Sequence, residues 1–463
     1  MKKKLIFVCS LAAVLVVGIG GGYTALSSYK ADHFLPKSFI NGTDVSMMSY
    51  KEAENAVEEK LKSEYSFTVY GAGEPDKTAP VYDTVLGNIT GADIGLQIHV
   101  NIDDAIQKND GTDVLSGFIS GNKKYEAVLT AEYNEEALRR AIGSFPAFRE
   151  ENMTPPTNAY IEYNETDRRY EIIPETLGTQ IIEEKAEEAI AAAINSLQTE
   201  VILTGNCYTT PAVTAASEEM VNLLSTLNFY AAASITYDLG ALSETVDISV
   251  FKDWIDTGTG EINMNMVAEW VEGLADRTDT AYTMRTFKIG DKDITVSGPY
   301  GYQIAVTKEA EQLAANIKAG QPVVREPAYN IKAASREDEL GGTFVEVDLT
   351  NQHVSLYVDG TLAGESDCVT GNLSKGYDTP DGIYPLTYKQ RDAVLRGPGY
   401  ASPVDFWMPF NRGIGLHDAS WRSSFGGNIY KTNGSHGCIN LPYSMAKQIY
   451  DVAYAGMPVI CHF

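Results

Sequence analysis

Gly434-Ser435-His436-Gly437-Cys438-Ile439-Asn440-Leu441-Pro442 carries the most suggestive chemistry in the chain. A free thiol has a pKa of about 8.5 and needs a base or a cation beside it to act near neutral pH; histidine is the usual partner. His436 lies two residues before Cys438, and His417, followed by Asp418, lies further upstream. In an extended segment residues two apart share a face, so His436 and Cys438 are expected to line one groove. Gly437 leaves room for backbone N–H groups to approach a substrate as an oxyanion hole. Two other readings compete: simple packing, and a zinc site of His417, His436 and Cys438. A closed zinc site needs a fourth protein ligand, and none is evident; an open catalytic site could use these three. No metal or cofactor is expected. His33, His99, His353 and His462 lack comparable neighbours and read as surface or packing residues.

Around this segment, residues 343–463 read as strands. Phe344, Val345, Val347 and Leu349 lead into a turn at Thr350-Asn351-Gln352, then Val354, Leu356 and Val358, then the hairpin signal Asp359-Gly360. Further breaks fall at Gly371-Asn372, Thr379-Pro380-Asp381-Gly382 and Gly397-Pro398-Gly399, and one helix is expected over residues 444–454. The domain is therefore mostly β. The charged run Ser335-Arg336-Glu337-Asp338-Glu339-Leu340-Gly341-Gly342 marks its upstream boundary. Cys368 and Cys461 would pair only if their strands are adjacent, and buried free thiols are the favoured reading; Cys207 reads as a small buried residue.

Upstream, Gly-x-Gln-Ile occurs three times, at Gly95, Gly178 and Gly301, each followed by a helical-looking segment such as residues 183–197. Unequal spacing excludes a solenoid. Ser49 and Glu52 form a capping-box pair before a stripe of Ala53, Ala56, Val57 and Leu61. The expectation is two α+β modules, residues 27–152 and 157–334, separated at Met153-Thr154-Pro155-Pro156.

The chain's 463 residues, at about 150 per domain, call for two to four folded units, and 44% hydrophobic content excludes wholesale disorder. Its net charge of −26 speaks against a nucleic-acid partner. Eleven acidic and eight basic residues from Thr343 onward give −3 and leave −23 upstream, so the acidity belongs to the modules. Lys2, Lys3 and Lys4, in a cytoplasmic tail of residues 1–4, precede an uncharged run over residues 5–26. That run is long enough to cross a membrane, and a retained transmembrane signal-anchor is expected in preference to a cleaved signal, with everything after it outside the cell.

The run Ser435-His436-Gly437-Cys438-Ile439-Asn440, with seventeen residues between His417 and Ser435, resembles the signature of the YkuD-type L,D-transpeptidases, which cross-link peptidoglycan. Thr379-Pro380-Asp381-Gly382-Ile383-Tyr384 and Gly415-Leu416-His417-Asp418-Ala419-Ser420-Trp421 extend the likeness across residues 343–463, and more weakly the two modules resemble the peptidoglycan-binding domains that precede such a domain. The resemblance implies a nucleophile at Cys438 and a general base at His417, oriented by the backbone carbonyl of Asp418. It implies an oxyanion-hole region at His436, Gly437 and Cys438, and supporting roles for Ser435 and Asn440. Trp421, Trp407 and Tyr388 are candidate groove walls. The implied partners are a tetrapeptide stem as acyl donor and a stem amine as acceptor, joined through third-position residues. Resolution by water, giving an L,D-carboxypeptidase, and a non-catalytic wall-binding role stay open.

Overall fold

A computed structural model describes residues 22–73, 82–397 and 400–463. The expected membrane span lies outside these except for residues 22–26, which begin a helix ending at Lys30. Among the described residues no helix is long and apolar enough to cross a membrane. The chain divides into two compact units, Met1–Tyr160 with Ile172–Met220, and Ile161–Glu171 with Val221–Phe463.

In the first unit the capping box forms: the Glu52 N–H donates to Ser49 Oγ, the Ser49 N–H donates to Glu52 Oε2, and the helix Tyr50–Glu64 buries Ala53 and Val57. A single core runs from Phe34 to Tyr208. It crosses the expected boundary at Met153-Thr154-Pro155-Pro156, and the strand Glu200–Ile202 returns to pair in parallel with Ser66–Gly71. The boundary fails because the two prolines break regular structure only locally. Gly178, at φ +68°, sits so close that a Cβ would lie 2.4 Å from the Thr154 carbonyl oxygen, and the Thr179 N–H donates to that same carbonyl at 2.8 Å. The three repeated glycines all have positive φ, at 61°, 68° and 132°, and in each copy the isoleucine (Ile98, Ile181, Ile304) is buried. The motif is a left-handed turn that plants an apolar side chain ahead of a helix.

The second unit joins an α+β module to the C-terminal domain. The strands Ser243–Val246, Ser234–Asp238 and Pro322–Arg325 form one sheet in that order, over which the helices Met264–Thr278 and Val306–Ala319 are placed. The hairpin Arg285–Ile289 and Lys292–Val296 then packs on the C-terminal domain: Phe287, Ile289, Ile294 and Val296 share a core cluster with Phe344, Ile383 and Ile460. The charged run at residues 335–342 thus separates two domains in sequence that share a core in space. Lys292 reaches Glu346 at 3.0 Å, and His462 meets the same carboxylate at 3.0 Å, so His462 has a charged neighbour that the sequence did not reveal.

The C-terminal domain is two sheets. The first holds β1 (Phe344–Asp348), β2 (His353–Val358), β3 (Thr361–Asp367), β4 (Gly382–Pro385) and β9 (Pro458–His462) in the order β3-β2-β1-β9-β4. The second holds β5 (Gln390–Gly397), β6 (Tyr400–Asn411), β7 (Ile414–Asp418) and β8 (Ile439–Leu441) in chain order. Val345, Val347, Leu356 and Val459 from the first meet Phe406, Met408, Leu416, Ile439 and Leu441 from the second. Two helices occur where one was expected: α1 (Ile429–Asn433), too short to show a periodic apolar face, and α2 (Tyr443–Val452), which adds Met445, Ala446 and Ile449 to this core. Cys368 and Cys461 are both buried in it as free thiols, and Cys207 is buried and free in the first unit.

Gly298, just after the hairpin, runs close against β4: a Cβ there would fall 2.1 Å from the Ile383 carbonyl oxygen. Gly298→Ala is expected to push hairpin and β4 apart and cost about 1–3 kcal/mol, read from the urea midpoint. An unchanged midpoint would mean that the two pieces are not held as described.

Candidate active site

Leu416 of β7 and Ile439 and Leu441 of β8 point into the core. Because successive strand side chains alternate between faces, His417 and Asn440 must point the other way. The two strands pair in parallel with Leu416 opposite Ile439 and His417 opposite Asn440. That register brings Cys438 beside the strand that carries His417. The pocket there, about 210 Å³, is lined by Leu395, Ser402, His417, Trp421, Arg422, Gly434, Ser435, His436, Cys438 and Asn440.

His417 is buried, and its Nδ1 lies 2.8 Å from the Asp418 carbonyl oxygen. A carbonyl can only accept, so Nδ1 carries the proton and Nε2 keeps a lone pair. The Asp418 carboxylate turns away: Oδ1 accepts from the backbone N–H groups of Asp405 and Phe406, both at 2.9 Å. Burial pushes the His417 pKa down; the Asp418 carbonyl and carboxylate oppose this, and the Arg422 charge adds to it. Burial pushes the Cys438 thiol up, against a hydrogen bond from the Gly415 backbone. Both groups therefore rest neutral at pH 7, which favours proton transfer during reaction over a preformed thiolate–imidazolium pair.

The loop that presents Cys438 is not the extended segment expected. Gly437 has φ +112°, and the chain turns there instead of alternating. His436 and Cys438 still line the same pocket, through this turn and not through strand periodicity. Ser435 Oγ braces it, donating to the Cys438 carbonyl at 2.6 Å and accepting from the Gly437 N–H at 3.0 Å. Thr379 Oγ1 donates to the Gly437 carbonyl at 2.8 Å and accepts from the Gly371 N–H at 3.0 Å. Asn440 exchanges backbone hydrogen bonds with Val369 at 2.9 and 3.0 Å. In the sequence Thr379 marks a turn and belongs to the stretch that extends the family likeness; its bond to Gly437, 58 positions away, has no local signal.

The three aromatic candidates separate. Trp421 is 51% exposed and lines the pocket, with its ring 5.8 Å from that of His417. Trp407 is buried behind His417 at 6.0 Å and packs with Ala393 and Val404; it is a backing residue, not a wall. Tyr388 lies outside the pocket lining and meets the Trp407 indole N–H through its hydroxyl at 3.4 Å. Leu395, Ser402 and Arg422 line the pocket and were not singled out from sequence. Leu395 and Ser402 are register partners on β5 and β6, a pairing that only the fold reveals.

Residues 342–461 match the YkuD family, described as the L,D-transpeptidase catalytic domain, and residues 88–202 match PG_binding_4, described as "Putative peptidoglycan binding domain". The second match also spans Met153-Thr154-Pro155-Pro156. No curated protein matches the chain. Among solved structures, a cysteine-to-serine mutant of the Enterococcus faecium L,D-transpeptidase is 32% identical over 52% of this chain and 99% of that one, with a TM-score of 0.45. The E. faecium catalytic domain acylated by ertapenem is 43% identical over 26% of this chain and 96% of its own, with a TM-score of 0.24. An L,D-transpeptidase from Mycobacterium tuberculosis H37Rv is 25% identical over 26% and 58%, with a TM-score of 0.24.

A Cβ at residue 437 would meet Ile414 Cδ1 at 3.1 Å, in a backbone region that side chains avoid at a cost of about 1–2 kcal/mol. Gly437→Ala should therefore lower the unfolding midpoint and slow alkylation of Cys438 by iodoacetamide. Wild-type values for both would refute this account of the loop.

Proposed function

Because the chain belongs to the L,D-transpeptidase family through residues 342–461, we propose that it joins peptidoglycan stem peptides through their third-position residues, by way of a Cys438 acyl-enzyme. The observation that carries this reading is the Cys438 thiol, just before β8, and the tautomer-fixed His417 imidazole on the parallel strand β7, facing one pocket. His417 Nε2 takes the thiol proton as Sγ attacks the carbonyl carbon between the third stem residue and the terminal D-Ala. The oxyanion collapses, the C–N bond breaks, the nitrogen takes the proton from His417, and D-Ala leaves. A side-chain amine of a second stem then attacks the thioester, giving up a proton through His417, and the thiol is restored as the new amide forms. Bond exchange of this kind needs no nucleotide.

The Gly437 N–H is already committed to Ser435 Oγ, so the Cys438 N–H is the better-placed donor to the oxyanion. Ser435, Thr379 and Asn440 hold the loop; His436 and Trp421 shape the groove that seats the acceptor against competing water. The run over residues 5–26 anchors the chain in the cell membrane, with the acidic modules carrying the catalytic domain outward into the wall. The match at residues 88–202 supports contact of the first module with peptidoglycan.

Incubation with a carbapenem followed by intact-mass measurement should give one covalent adduct that Cys438→Ala abolishes. No adduct on the wild-type chain would overturn the reading. Product analysis on tetrapeptide muropeptides separates dimers from the tripeptides that water would release. Because the His417 pKa lies below the ordinary 6.5, the base stays unprotonated through neutral pH and is lost only in more acid solution. The acid limb of D-Ala release should therefore be centred below pH 6.5; an acid limb centred at or above 6.5 would contradict the buried neutral base.

A further inference from the structure

Among the described residues Arg422 is the one arginine or lysine lining the pocket, and no aspartate or glutamate among them lines it. It follows Trp421 in the loop after β7, where its backbone N–H donates to the Ala419 carbonyl at 2.9 Å, turning the chain back beside His417. Its Nε is buried and has no hydrogen-bond partner. No ion pair engages its guanidinium among the described residues, unlike Arg285 and Arg325, which meet Glu339 and Glu309. Burial accordingly pulls its pKa down with no anion to offset the loss of water. A half-buried guanidinium is costly to leave unpaired, and its planar fork is shaped for a carboxylate.

Nucleophile and base are neutral at rest, so the charge that Arg422 would complement must come from the substrate. The proposed donor brings one: the terminal D-Ala has a free α-carboxylate two bonds beyond the scissile nitrogen. Resting on the reading above, we infer that Arg422 is a specificity-determining residue that binds the α-carboxylate of the departing D-Ala. It selects stems that end at the fourth residue. A fifth residue would carry the carboxylate about 3.5 Å further along the chain and leave the guanidinium facing a neutral amide. Arg422 also holds the leaving group's carboxylate while the C–N bond breaks, so it acts on binding of the donor and not on the acceptor.

The test compares two donors on the full chain, a tetrapeptide stem with a free terminal carboxylate and the same stem as its C-terminal carboxamide. Release of D-alanine or D-alaninamide is followed at several concentrations. A charge-assisted contact predicts a kcat/KM ratio of about 10- to 100-fold in favour of the acid, expressed mainly in KM. Arg422→Gln should bring the ratio toward one, and Arg422→Lys, which keeps the charge but not the fork, should give an intermediate ratio. A wild-type ratio near one overturns the inference whatever the variants do. So does an undiminished ratio in Arg422→Gln. If Arg422→Gln fails to fold, the wild-type and Arg422→Lys ratios decide. If the wild type turns over neither donor and forms no carbapenem adduct, the transpeptidase reading falls and this inference with it; a carbapenem adduct with no acid preference sinks the inference alone.

Discussion

The parallel pairing of β7 with β8 is the constraint on which the site depends. Its backbone ladder is short, three residue pairs, yet it fixes which side chains face the core and which face the pocket. Leu416, Ile439 and Leu441 are fully buried on one side, and their burial pins the strands against rotation. The reactive groups are held by the apolar residues between them. A polar site is thus positioned by hydrophobic packing, and no charged pair is required to bring thiol and imidazole together.

The same burial sets the chemistry. Dehydration disfavours the charged form of each group, raising one pKa and lowering the other, so the pair stores no charge until a substrate arrives. Charge then develops in a cleft that has one unpaired guanidinium and a loop stiffened by Ser435 and Thr379. Fixed dipoles of this kind stabilise a developing oxyanion without reorganising at the moment of reaction.

Much of this was legible in the residues themselves. Strand alternation from Phe344 to Val358 and the Asp359-Gly360 turn mark β1 and β2, and the capping box marks its helix, because those signals are local. His417, His436 and Cys438 stood out because few side-chain types do acid–base or thiol chemistry. What stayed hidden depends on distant parts of the chain. Arg422 reads as an ordinary surface arginine until the fold denies it a counter-ion. The prolines at 155 and 156 look like a hinge until Gly178 is found packed against them. The hairpin at Arg285–Val296 alternates like any amphipathic pair of strands, and nothing in it reveals that its apolar face is covered by the next domain. His436 and Cys438 were assigned to one groove through strand periodicity, but a positive-φ glycine produces the arrangement instead.

The cysteines carry a practical corollary. Cys207, Cys368 and Cys461 are sealed in two cores, and burial pushes all three thiols up, Cys368 and Cys461 strongly. Among the described residues Cys438 is the single sulfur that opens on a cleft. Among the four described cysteines, then, one offers an attachment point for a fluorophore or spin label without any being introduced. A label placed there occupies the pocket itself, so its mobility or emission reports on the walls that His417, Trp421 and Arg422 give the cleft.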